Sequence, residues 1–216
     1  MVIKSSNFRE INSGKIAPKL LYRSDHPICN GKQVKDIILS ANNANIQTII
    51  NLSDSIHSVR QKTIHCPWYR KMLEKNNVIA LDIRMDFNIM DSQFNKKIKD
   101  GLIFIIKHNP PYLIHCEAGI DRTGFLSIML EAFMETKFDD MVKDYMLSYV
   151  DESEYSLNDY RNGSIFIMNI FGKIKGEIIN QNENLQYLST KYFLEKIKLN
   201  AAEVQMLSNK IMNKEV

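Results

Sequence analysis

The stretch Tyr112-Leu113-Ile114-His115-Cys116-Glu117-Ala118-Gly119-Ile120-Asp121-Arg122-Thr123-Gly124 decides how the chain reads. Four β-prone residues, Tyr112–His115, predict a buried strand, and Phe125, Leu126, Met129, Leu130 and Phe133 then recur at helical spacing. Between strand and helix lies a short turn with a cysteine at its start and an arginine six residues later. Backbone N–H groups of such a turn converge on one point, and the helix adds its positive end, so the turn suits a tetrahedral anion. The same dipoles favour the thiolate of Cys116, an ionised nucleophile that needs no partner base.

Outward from this turn, Leu20–Tyr22, Thr48–Leu52 and Val78–Ile83 are further short, β-rich runs. Helix-like segments near Lys32–Asn42, Val59–Lys75 and Ser92–Lys107 lie between them. That alternation predicts an α/β fold with a central, mostly parallel sheet of about four to five strands flanked by helices. Asp91 offers a cap to a helix with apolar positions Phe94, Ile98, Leu102, Ile105 and Ile106, and Asn109-Pro110-Pro111 stops it. Apolar stripes from Met141 onward predict a helical C-terminal half. The 216 residues fit one domain, with residues 180–216 read as a helical elaboration.

Composition narrows the function classes. Hydrophobic residues make up 44% and charged residues 25%, and no run reaches the ~20 apolar residues of a membrane span. Met1–Arg9 lacks the apolar core of a secretory signal, so a cytoplasmic location is expected. A net charge of +3, with no dense basic block, argues against nucleic acid as a partner. Cys29, Cys66 and Cys116 match neither a disulfide framework nor a zinc site and read as reduced thiols.

The residues of the turn divide the chemistry among them. Arg122 supplies a planar fork for two phosphate oxygens, a task the point charge of Lys does not perform. Gly119 permits a positive φ, and the backbone of Glu117, Ala118, Gly119, Ile120, Asp121 and Arg122 forms the phosphate-binding loop. Thr123 is placed to donate its hydroxyl toward the sulfur, and His115 to order the loop by hydrogen bonds.

The ten residues HCEAGIDRTG resemble the signature of the protein tyrosine phosphatase superfamily. Asn7-Phe8-Arg9, Leu21-Tyr22-Arg23-Ser24 and Asp144-Tyr145-Met146-Leu147-Ser148 resemble its bacterial branch with broad tyrosine, serine/threonine and lipid phosphatase activity. This likeness runs from about residue 7 to residue 150. It implies hydrolysis of a phosphomonoester through a phosphocysteine on Cys116, without metal or cofactor. Expelling the leaving oxygen requires a proton donor. Compact members of the superfamily carry it about where Asp86 stands, and the bacterial branch has an aspartate where Asp121 stands. Asp91 reads as a helix cap and Asp82 as a strand residue pointing outward.

Two loop positions bear on the substrate. Glu117 and Ile120 stand where inositol-directed relatives commonly carry basic residues, so neither attracts further phosphates. A singly phosphorylated, partly apolar ligand follows, with phosphotyrosine in a protein first and phosphoserine or phosphothreonine beside it. Phe87, Trp68 and Tyr69 are candidate walls for its ring. The alternatives are an inositol phosphate or phosphoinositide phosphatase, and a phosphate-binding module without turnover. Arg9 and Arg23 read as ion-pair residues, and Asp144 as an exposed helical carboxylate or a brace for Arg122 or the loop backbone.

Overall fold

The computed structural model describes residues 6–28 and 32–214; the side chains of residues 32 and 33 are outside this description, as is Cys29. Five strands form one sheet: β1 (Arg9–Ile11), β2 (Leu21–Ser24), β3 (Thr48–Asn51), β4 (Val78–Ala80) and β5 (Tyr112–His115). Their order is β1-β2-β5-β3-β4, with β1 antiparallel to β2 and all other pairs parallel. Every residue of β2, β3 and β5 is buried, as strands covered on both faces must be.

The described helices are α1 (Lys32–Asn43), α2 (Ile56–Lys62), α3 (Pro67–Glu74), α4 (Ser92–Lys107), α5 (Asp121–Phe133), α6 (Phe138–Met146), α7 (Leu157–Lys175), α8 (Leu185–Glu195) and α9 (Ala201–Ile211). Side-chain alternation along β5 sorts them into two layers. Tyr112 and Ile114 join a core with Leu102, Phe125, Phe171 and Tyr192 from the α4, α5, α7 and α8 side. Leu113 joins a second core with Ile49, Ala41, Tyr69 and Met72 on the α1 and α3 side. None of the described helices is long and apolar enough to cross a membrane.

The α/β expectation holds, and its departures have local causes. The segment Val59–Lys75 is two helices, because Pro67 starts α3 and lacks the N–H that would continue the preceding turn. The run Val78–Ile83 pairs as a strand only to Ala80, and Asp82 turns to φ +49°. Three-residue β1 is too short to show alternation and escapes sequence reading. The Asp91 cap forms as expected, its carboxylate accepting from the N–H of Gln93 and Phe94 at 2.9 Å each.

This architecture positions one loop. β5 lies between β2 and β3, so the chain leaving it at Cys116 emerges between the C-terminal ends of two parallel neighbours, where open α/β sheets carry their crevice. It then enters α5, whose residues Arg122–Phe133 are all buried, a helix enclosed all round inside the molecule.

Candidate active site

Cys116 ends β5 with 2% of its surface exposed, and residues 117–120 turn the chain into α5. Each carbonyl in this turn is tied down. That of Cys116 lies 3.3 Å from His115 Nδ1, which must therefore carry the proton. The N–H of His26 donates to Glu117 O at 3.2 Å. Asn7 Nδ2 donates to Gly119 O at 3.3 Å and, more distantly, to Ala118 O at 3.5 Å. Arg23 Nη2 donates to Gly119 O at 2.9 Å. In a trans peptide C=O and N–H point oppositely, so the N–H groups of residues 117, 118, 119 and 120 face the inner side of the turn. Gly119 takes φ +65° to make this possible.

Arg122 is 6% exposed, and its Nη1 donates to Ile83 O at 2.7 Å. Its Nε and the Thr123 hydroxyl are buried with no hydrogen-bond partner among the described residues. Orphan donors at the start of a helix, beside four inward N–H groups, are what an oxyanion would satisfy. The expected Thr123 contact to sulfur is not formed; the hydroxyl is available rather than engaged.

His115 is fully buried and acts through a polar chain that sequence reading missed. Its Nε2 accepts from Tyr69 OH at 3.0 Å, and Tyr69 OH accepts from Asn51 Nδ2 at 3.2 Å. Asn51 also donates to Asp54 Oδ2 at 2.9 Å, and His26 Nε2 donates to the same oxygen. Burial, then the neighbouring His26, holds the His115 imidazole well below its ordinary range, so it stays neutral. Burial alone would raise the Asp54 carboxyl, but hydrogen bonds from His26, Asn51 and Lys62 outweigh it and hold it far below that of a free aspartate. Asn51 and Asp54 sit at the end of β3 and His26 follows β2, and no spacing in the sequence ties them to Cys116.

The two proton-donor candidates have different surroundings. Asp86 lies on the loop after Ile83, and its carboxylate, 71% exposed, pairs with Arg84 at 3.0 Å. It borders a cavity of about 330 Å³ shared with Ile83, Phe87, Asp91 and Lys97. The Ile83–Arg122 hydrogen bond joins this loop to the cradle. Asp121 opens α5, half-buried beside Arg122. Its charge reaches the phenols of Tyr145 and Tyr149, which hydrogen-bond at 3.0 Å. Of the others, Asp91 is occupied as a cap and Asp82 is 64% exposed beside Lys97.

Around the mouth, Glu117 and Ala118 are exposed and Ile120 is half-buried. The proposed ring walls are differently employed. Tyr69 is fully buried behind His115, Trp68 packs edge-on against it at 6.0 Å, and Phe87 stacks on Phe94 at 5.1 Å. Cys66 is a buried free thiol that burial pushes up, as an inert structural cysteine should be.

A model of the tyrosine phosphatase family matches residues 3–213, nearly the whole chain and well beyond the span legible from its motifs. The chain belongs to the tyrosine phosphatase family. Among solved structures it is similar to the core catalytic domain of the PP-IP phosphatase SIW14 from S. cerevisiae in complex with citrate, with 15% identity and a TM-score of 0.44. That match covers 82% of this chain and 94% of the other. No curated protein matches the sequence. The loop from Cys116 to Arg122, whose residues resemble the superfamily signature, has a geometry that suits a tetrahedral anion beside the thiol.

Proposed function

We propose that this chain is a phosphomonoester hydrolase that dephosphorylates phosphotyrosine in proteins, with phosphoserine and phosphothreonine as secondary substrates. One observation carries the reading: a cysteine, 2% exposed, lies at the base of a turn whose carbonyls are tied outward, beside an arginine with an unpartnered buried Nε. Sulfur attacks phosphorus, and the S–P bond forms as the ester P–O bond breaks. The leaving oxygen takes its proton from Asp86 or Asp121. The resulting carboxylate then accepts a proton from water, whose oxygen attacks phosphorus and releases inorganic phosphate and the thiolate. Arg122 and the four N–H groups follow the charge on the equatorial oxygens into each transition state.

Acidic Glu117 and apolar Ile120 at the mouth support a substrate with one phosphate and an apolar body over an inositol polyphosphate. Steady-state hydrolysis of an aryl phosphate and of a phosphotyrosine peptide, with EDTA present, tests the proposal against turnover of an inositol polyphosphate. Wild type turns over the first two faster, Cys116→Ser abolishes turnover, and Arg122→Lys lowers it by about 100-fold or more. Loss of the basic limb of the pH profile in Asp86→Asn or in Asp121→Asn identifies the proton donor. Faster turnover of the inositol polyphosphate would replace the substrate class, and tight phosphate binding without turnover would make the chain a binding module.

A further inference from the structure

Arg9 and Arg23 stand directly opposite each other on antiparallel strands β1 and β2, a placement that like charges disfavour. Asp144 from α6 lies between them. Its Oδ1 accepts from Arg9 Nε at 2.8 Å and its Oδ2 from Arg23 Nη1. Arg23 is fully buried and Asp144 has a side-chain exposure of 14%. Ser148, one helical turn on, accepts from Arg9 Nη2 at 2.9 Å and Arg23 Nη2 at 3.0 Å.

Two arms leave this cluster, and both end on the phosphate loop. Arg23 Nη2 reaches Gly119 O directly at 2.9 Å. Arg9 Nη1 holds Asn7 Oδ1, and Asn7 Nδ2 reaches Gly119 O at 3.3 Å. Stability alone does not select such a cluster, because well-packed apolar residues commonly replace a buried ion pair without loss. Orientation of the Gly119 carbonyl is the property an apolar replacement would not supply.

We propose that Asp144 is a positioning residue: through Arg23 on one side and through Arg9 and Asn7 on the other, it fixes the Gly119 carbonyl outward and so aims the Ile120 N–H at the bound phosphoryl group. The assignment rests on the phosphatase reading. Of the sequence expectations for Asp144, an exposed carboxylate or a brace for Arg122 or for the loop backbone, it takes the last, since Arg122 is held by Ile83 instead. Two observations add to it. Burial would raise the Asp144 carboxyl, but Arg23 and Arg9 outweigh that and hold it ionised. Burial, then Asp144, raises the neighbouring Glu131 carboxyl well above the usual carboxylate range.

The test is the affinity for tungstate, a non-hydrolysable tetrahedral oxyanion, measured by calorimetry beside Tm and aryl phosphate kinetics. Asp144→Asn, Ser148→Ala and Asn7→Gly are compared with Leu207→Ala, a core truncation on α9 outside the site. Asn7 already has φ +42°, so glycine keeps its backbone accessible. Asp144→Asn weakens tungstate binding about tenfold or more and lowers kcat, and the two milder variants follow in the same direction. Leu207→Ala lowers Tm with tungstate affinity unchanged. If Asp144→Asn does not fold, Ser148→Ala and Asn7→Gly decide. Variants that bind tungstate as tightly as wild type overturn the brace while leaving the phosphatase reading in place. A wild type that binds no tungstate overturns both.

Discussion

Replacing Gly119 with alanine separates the geometry of the loop from its mere presence. At φ +65° an alanine pays about 1–2 kcal/mol of backbone strain. Its Cβ would also sit 2.5 Å from Ser24 O, 2.7 Å from Ser24 C and 2.9 Å from Asp25 N, all backbone atoms that no rotamer change can move. The loop must therefore shift away from β2, against the hydrogen bond from Arg23 to Gly119 O, and carry the Ile120 N–H with it. A displacement approaching 1 Å costs about 100-fold in turnover. Gly176→Ala is the control: its φ is +86°, but nothing lies within 4 Å of the added methyl, so it pays strain without a clash. Both variants should lose a few degrees of Tm. Only Gly119→Ala should lose kcat/KM toward an aryl phosphate, by about 100-fold. Activity within about threefold of wild type in Gly119→Ala would show that the outward Gly119 carbonyl does not set the cradle.

Two further outcomes concern single groups. Asp91→Ala removes the acceptor for the N–H groups of Gln93 and Phe94 and should cost about 1 kcal/mol, with activity unchanged; a large loss of turnover would make Asp91 the proton donor instead. His115 has its folded pKa depressed, so the unfolded chain binds the proton first: stability falls as pH drops below about 6.5, by up to about 1.4 kcal/mol per pH unit. Denaturant unfolding between pH 7 and pH 5 should show a shallower pH slope in His115→Asn, and an equal slope would mean that His115 is not the buried neutral imidazole described.

Cys116, Arg122 and the strand–turn–helix around them were legible because chain neighbours make that site: the period changes from strand to helix across a turn of few residues. The central strands were legible for a similar reason, since β2, β3 and β5 are buried on both faces and each carries adjacent β-prone residues, Leu21–Tyr22, Thr48–Ile50 and Tyr112–Ile114. What escaped comes from distant segments. Arg9 and Arg23 read as ion-pair residues and Asp144 as one candidate brace, but that the three pair with one another comes from β1, β2 and α6 converging beneath the loop. Asp54 and Tyr69 reach His115 across the second core by a hydrogen-bond chain that leaves no periodic trace. Of the aromatic walls, Tyr69 is fully buried behind His115, whereas Phe87 stacks on Phe94 and still borders the cavity beside Asp86.

The central claim is that Cys116 forms a covalent phosphoryl intermediate. Rapid acid quench of wild type turning over an aryl phosphate, followed by peptide mass spectrometry, tests it most directly. One added phosphoryl group is expected on the peptide containing Cys116, formed within the first turnover and absent from Cys116→Ser. Phosphate release with an unmodified Cys116 peptide, or turnover retained by Cys116→Ser, would contradict it.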